Sequence, residues 1–99
     1  MSDEKRSNDR KTVNLVVKWD SLSGSYEAKL EDISLSGCFI NTTGIADLNE
    51  VMNLQVLLPS DQWLDLHGQV ATYQPGIGFG LLFSHLTDEQ SLAVKKLCA

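Results

Sequence analysis

Apolar and polar residues alternate along most of this chain, and the alternation begins abruptly at position 12. Val13, Leu15, Val17 and Trp19 alternate with Thr12, Asn14, Val16 and Lys18. A period of two is the pattern of a strand with one buried face. Asp20-Ser21-Leu22-Ser23-Gly24 is rich in turn formers. Beyond it Tyr26, Ala28 and Leu30 alternate with Ser25, Glu27, Lys29 and Glu31, which predicts a hairpin. A short apolar run, Cys38-Phe39-Ile40, leads into the turn Asn41-Thr42-Thr43-Gly44. Met52, Leu54, Val56 and Leu58 alternate again and stop at Pro59. Trp63 to Tyr73 reads as a long strand, with a bulge or bend expected at Gly68. Gln74-Pro75-Gly76 turns the chain, and Ile77, Phe79, Leu81 and Phe83 form the last strand.

The period then changes. Thr87-Asp88-Glu89-Gln90 fits a capping box, with Thr87 as N-cap and Gln90 at the third helical position. Val94, Leu97 and Cys98 fall on one face, and Lys95 and Lys96 stand in the last turn, where the helix dipole favours cations. The pattern predicts a mainly β domain: six antiparallel strands in a barrel or sandwich, then a helix over 87–98. Residues 1–11 show no periodicity and read as a flexible N-terminal segment ahead of a single domain at 12–99.

Composition narrows the function. The 99 residues carry a formal net charge of −5, which argues against DNA or RNA as a partner. The charge is uneven: residues 1–11 hold four basic groups against three acidic ones, whereas residues 12–99 hold four against ten. An anionic ligand is thus drawn to one end of the molecule. No apolar run approaches membrane-spanning length, and the N-terminus lacks the apolar core of a signal peptide, so the expected location is the cytoplasm. Cys38 and Cys98 are expected as free thiols, Cys38 buried. His67 and His85 are isolated and read as surface or loop residues, and Trp19 and Trp63 are expected to pack against the core. No carboxylate or histidine cluster and no activated nucleophile is visible, so no catalytic or metal site is expected and no cofactor is implied. Gly76-Ile77-Gly78-Phe79-Gly80 lacks both the spacing and the following helix of a dinucleotide fingerprint.

Two short motifs carry the remaining chemistry. The only arginines are Arg6 and Arg10, in Arg6-Ser7-Asn8-Asp9-Arg10; Asp32-Ile33-Ser34-Leu35-Ser36-Gly37 follows about twenty residues later. Guanidinium forks match the O6 and N7 of guanine, stack on purine faces and clamp phosphate. Two of them four residues apart on an extended segment reach up to about 13 Å. A carboxylate at Asp32 can accept from the N1–H and N2–H₂ donors of guanine, Ser34 can donate or accept, and Gly37 permits close approach. In an extended segment, Asp32 and Ser34 share one face.

Arg-x-x-x-Arg followed by Asp-x-Ser-x-x-Gly resembles the two-part signature of the bacterial PilZ domain, the receptor module for cyclic di-GMP. The resemblance covers nearly the whole chain and implies a PilZ-like six-stranded barrel capped by a helix. It implies that Arg6, Arg10, Asp32, Ser34 and Gly37 hold the ligand between a flexible arm and the barrel surface. Lys5, Tyr73 and Gly78 are candidate secondary contacts, Tyr73 as a base-stacking ring on the face opposite Val70. Many members carry further basic residues and a proline in the arginine motif; here Asn8 and Asp9 stand there, and Asp9 partly cancels the field of Arg10. The implied function is that of a non-catalytic cyclic di-GMP receptor that orders its arm on binding and signals to a separate partner protein. The alternative is a PilZ-like adaptor that binds protein and no nucleotide.

Overall fold

The computed structural model describes residues 10–21 and 24–99. Six strands and a helix follow in order: β1 (Lys11–Ser21), β2 (Gly24–Ile33), β3 (Gly37–Asn41), β4 (Val51–Leu57), β5 (Trp63–Gln74), β6 (Gly78–Phe83) and α1 (Asp88–Cys98). All strand pairs are antiparallel, and they close into a barrel in the order β1-β2-β3-β6-β5-β4. The expected six-stranded barrel with a terminal helix is the architecture the chain adopts. Residues 1–9, including most of the expected N-terminal arm, lie outside the described residues.

Alternation fills the barrel. Val17, Leu30, Ile40, Leu54, Val56, Leu66, Val70, Phe79 and Leu81 are buried, each pointing inward from its strand. Trp19 stacks on Tyr26 at 5.6 Å between ring centroids and meets the edge of Phe79 at 5.4 Å. α1 packs against β5, β1 and β2 and buries Val94 completely. Its capping box forms as the sequence predicts: the Gln90 amide donates to Thr87 Oγ1 (3.1 Å), and the Thr87 amide donates to Gln90 Oε1 (2.8 Å). Gln90 Nε2 also donates to the Asp65 carbonyl at 2.8 Å, tying the helix start to β5. At the other end Cys98 Sγ donates to the Ile33 carbonyl (3.6 Å).

Three expectations need correction. Trp63 is not in the core: it opens β5 one residue out of phase with inward-facing Leu64 and Leu66, is 43% exposed, and lies beneath the Lys18 ammonium, 4.8 Å from the ring centroid. Gly68 is not a bulge. It stays in register with Met52 and Phe83, and β6 runs so close that a Cβ there would lie 2.0 Å from the Leu82 carbonyl oxygen. The irregularity of β5 falls between Val70 and Thr72 instead. Ile77 does not begin the last strand; it closes the preceding turn, donating to the Gln74 carbonyl at 3.0 Å, and is exposed.

The two tryptophans should therefore separate in denaturant titrations. Trp19→Ala removes a buried ring and is expected to cost about 3–5 kcal/mol. Trp63→Ala removes an exposed ring and one cation–π contact, and should cost about 1 kcal/mol or less.

Candidate functional site

Leu30 and Asp32 are two residues apart, so unbroken alternation sends both side chains into the barrel. Leu30 is fully buried there, whereas a carboxylate in that position is strongly disfavoured. The chain resolves the conflict with a bulge. β2 pairs Leu30 with Ile40 and Asp32 with Phe39, leaving Glu31 as the extra residue. Asp32 thereby turns outward, beside Thr12 of β1 on one side and Phe39 of β3 on the other. β5 repeats the device: Val70 pairs with Leu81 and Thr72 with Gly80, with Ala71 left over. One outward row then crosses five strands, Thr12-Asp32-Phe39-Gly80-Thr72.

Arg10 enters this row from the residue before β1. Its Nη1 donates to Asp32 Oδ1 at 2.6 Å. The two side chains are 48% and 22% exposed, so solvent screens the pair. Pairs of this kind contribute about 0–1 kcal/mol, a hold weak enough to be exchanged for a ligand. Arg10 and Asp32 line a surface depression of about 300 Å³ together with Glu31, Phe39, Gln74 and Ile77. That is the low end of ligand-cleft sizes. Larger depressions among the described residues carry none of the motif residues: one of about 660 Å³ lined from β1, β2, β4 and β5, one of about 600 Å³ between α1 and the loop after β4, and one of about 450 Å³ at Asn41, Thr42, Thr43, Gly76 and Ile77.

Ser34 does not share the outer face with Asp32. It is 1% exposed, inside the turn that joins β2 to β3. Its Oγ accepts from the amides of Ser36 (3.2 Å) and Gly37 (3.3 Å) and contacts Ser36 Oγ at 3.1 Å, while its own amide donates to the Gly37 carbonyl at 2.8 Å. Gly37 is buried against β6, where a Cβ would lie 2.2 Å from the Leu81 carbonyl oxygen. Among the described motif residues, Arg10 and Asp32 thus form the exposed surface, and Ser34 and Gly37 build the turn behind it. Lys5 and Arg6 lie outside the described residues.

Tyr73 departs from the face expected for it. The bulge at Ala71 flips the parity of β5, so Tyr73 pairs with buried Phe79 and packs against the core on the same side as Val70. Gly78 lies beside the depression, paired with Asn41 and Gln74. A Cβ on Gly78 would meet the Phe39 ring at 3.0 Å and the Ile40 carbonyl oxygen at 2.0 Å. Phe39 is an aromatic residue of the depression that neither motif contains. It stands between inward-facing Cys38 and Ile40, so alternation places it outside.

Cys38 sits on the inner side of the same strand. Burial above all, and then the nearby charge of Asp32, push its thiol up to about 12, with Arg10 acting weakly in the opposite direction. Such a thiol stays protonated and unreactive at neutral pH. Burial raises Cys98 as well, against the pull of Lys11.

The PilZ domain family profile matches residues 4–99. No curated protein sequence matches the chain. Among solved structures, the Bacillus subtilis inhibitor of motility (MotI/DgrA) superposes with a TM-score of 0.77 at 17% identity, over 95% of this chain and 49% of that one. The PilZ domain of CeSA from a cellulose-synthesizing bacterium gives a TM-score of 0.67 at 18% identity, over 91% and 94%. The Borreliella burgdorferi PlzA protein, solved in complex with c-di-GMP, gives 0.57 at 12% identity, over 100% and 38%. The chain thus spans about half of the MotI chain and under two fifths of PlzA.

The division between surface and support residues predicts stability effects of unequal size. Ser34→Ala strips a buried acceptor from two amides and should cost about 1–3 kcal/mol. Asp32→Asn breaks only the exposed ion pair and should change stability by about 1 kcal/mol or less. Urea denaturation of the two variants beside the parent checks both values.

Proposed function

The chain belongs to the PilZ domain family, and on that premise we propose that it is a receptor for cyclic di-GMP with no catalytic step of its own. The observation that carries this reading is the Arg10–Asp32 pair, held on the barrel surface at the rim of a depression. A guanine edge offers donors at N1 and N2 that suit the Asp32 carboxylate, and acceptors at O6 and N7 that suit a guanidinium. The free side chains satisfy each other; on binding, the ligand takes over both partners. The complex of PlzA with c-di-GMP supports the ligand class.

A depression of about 300 Å³ accommodates part of a cyclic dinucleotide rather than all of it. The remainder, including the second base and at least one phosphate, is then covered by Lys5 and Arg6 from the N-terminal segment. Closing that segment over the ligand costs conformational entropy, which charge-assisted contacts from two arginines must exceed. Ser34 and Gly37 contribute by holding the turn, without touching the ligand. The arm, the ligand and the barrel together make a new surface, and a separate partner protein reads it.

Titration calorimetry tests the reading. Cyclic di-GMP should bind the parent protein, and Arg10→Ala and Arg6→Ala should each weaken binding about tenfold or more, the scale of a lost charge-assisted contact. Absence of heat with folded parent protein would point to the nucleotide-independent adaptor. Cleavage within residues 1–9 by a protease should also slow when the ligand is present; an unchanged rate contradicts the closing of the arm.

A further inference from the structure

We propose that Phe39 is the stacking platform for one guanine base of the ligand, a role resting on the receptor reading above. The ring occupies an unusual seat. Phe39 is the outward residue of β3, and its cross-strand partner on β6 is Gly80, with Gly78 two residues further back. Cβ atoms placed on these glycines would come within 3.8 Å and 3.0 Å of the ring, so the ring lies over a stretch of β6 whose outward positions carry no side chains. Aromatic rings that cover strand glycines in this way stabilise the sheet. The glycine positions of β6 lie against the ring, and Phe39 lines the depression together with Arg10 and Asp32.

The surroundings select the base. Asp32 is the direct cross-strand neighbour of Phe39, a spacing of about 4.5–5.5 Å between Cβ atoms. A planar base stacked on Phe39 therefore presents its edge to the carboxylate. Guanine meets it with the N1–H and N2–H₂ donors. Adenine sets an acceptor at N1 against it, so the same seat discriminates against adenine. Gln74 and exposed Ile77 close the far side of the depression, the amide offering both a donor and an acceptor. Tyr73, facing the core, does not compete for this role.

The test compares the parent protein with Phe39→Leu and Phe39→Trp, using cyclic di-GMP in calorimetry and in proton NMR of the ligand. Loss of a stacked aromatic should weaken binding about 5- to 150-fold in Phe39→Leu, with Phe39→Trp remaining close to the parent. The guanine H8 resonance should move upfield with parent and Phe39→Trp, through the ring current, and lose that shift with Phe39→Leu. Thermal melts of all three keep folding separate from binding, and the H8 shift in the parent alone decides the matter if Phe39→Leu fails to fold. Parent-like affinity in folded Phe39→Leu, or no upfield shift in the parent complex, overturns the platform while leaving the receptor reading intact. No binding by the parent overturns the receptor reading and the platform with it. Equal affinity for cyclic di-AMP contradicts the selection of guanine by Asp32.

Discussion

A carboxylate two residues after a core leucine cannot follow the alternation of its strand. The barrel absorbs one extra residue, Glu31, between Leu30 and Asp32, with a second irregularity in β1 between Thr12 and Leu15, and the outward row through Asp32 depends on these insertions. The bulge at Glu31 brings Asp32 out to meet Arg10 and sets it directly beside Phe39. It also returns Ile33 to the interior, where its carbonyl receives Cys98 from α1. A further bulge at Ala71 completes the arrangement by turning Tyr73 inward and Thr72 outward. The site is thus a product of where the strand pairing slips, and bulges commonly serve to re-aim side chains beside functional sites.

The Asp-x-Ser-x-x-Gly motif divides its labour accordingly. Asp32 alone among its named residues faces the depression. Ser34 spends its hydroxyl on the amides of the turn, and Gly37 lets β3 approach the β6 backbone closely enough for the barrel to close. The motif is therefore a device for shaping the surface as well as for setting Asp32 on it. β6 contributes in the same spirit. Gly78 and Gly80, which superficially suggest a phosphate-binding loop, instead provide the flat bed on which Phe39 lies.

Much of this was legible in the sequence because period-two alternation and turn residues directly report buried faces and their limits. The hairpin of β1 and β2, the strand from Trp63, the capping box at Thr87 and the two motifs all followed from residue type and spacing. What escaped were the consequences of register. Alternation alone leaves no mark of the extra residue at Ala71 that turns Tyr73 inward, and Ser34 lies beyond the end of β2 at Ile33, in a turn where strand parity with Asp32 no longer holds. Gly68 carried a bulge signal for a different physical reason, the proximity of Leu82, and Trp63 was assigned by its hydrophobicity rather than by its phase relative to Leu64. The outward face of Phe39 follows from alternation, whereas the placing of Gly80 opposite it is a matter of register that the sequence does not display.

The central claim is that the outward row around Asp32 is where the ligand sits. Amide chemical-shift mapping of isotope-labelled protein during titration with cyclic di-GMP tests it most directly. The account predicts perturbations concentrated at Arg10, Glu31, Asp32, Phe39, Gly78, Gly80 and Ile77. Perturbations centred on Lys18, Glu27, Gln55 and Asp65 over the outer faces of β1, β2, β4 and β5, or on Leu92 and Leu58 beside α1, would contradict it.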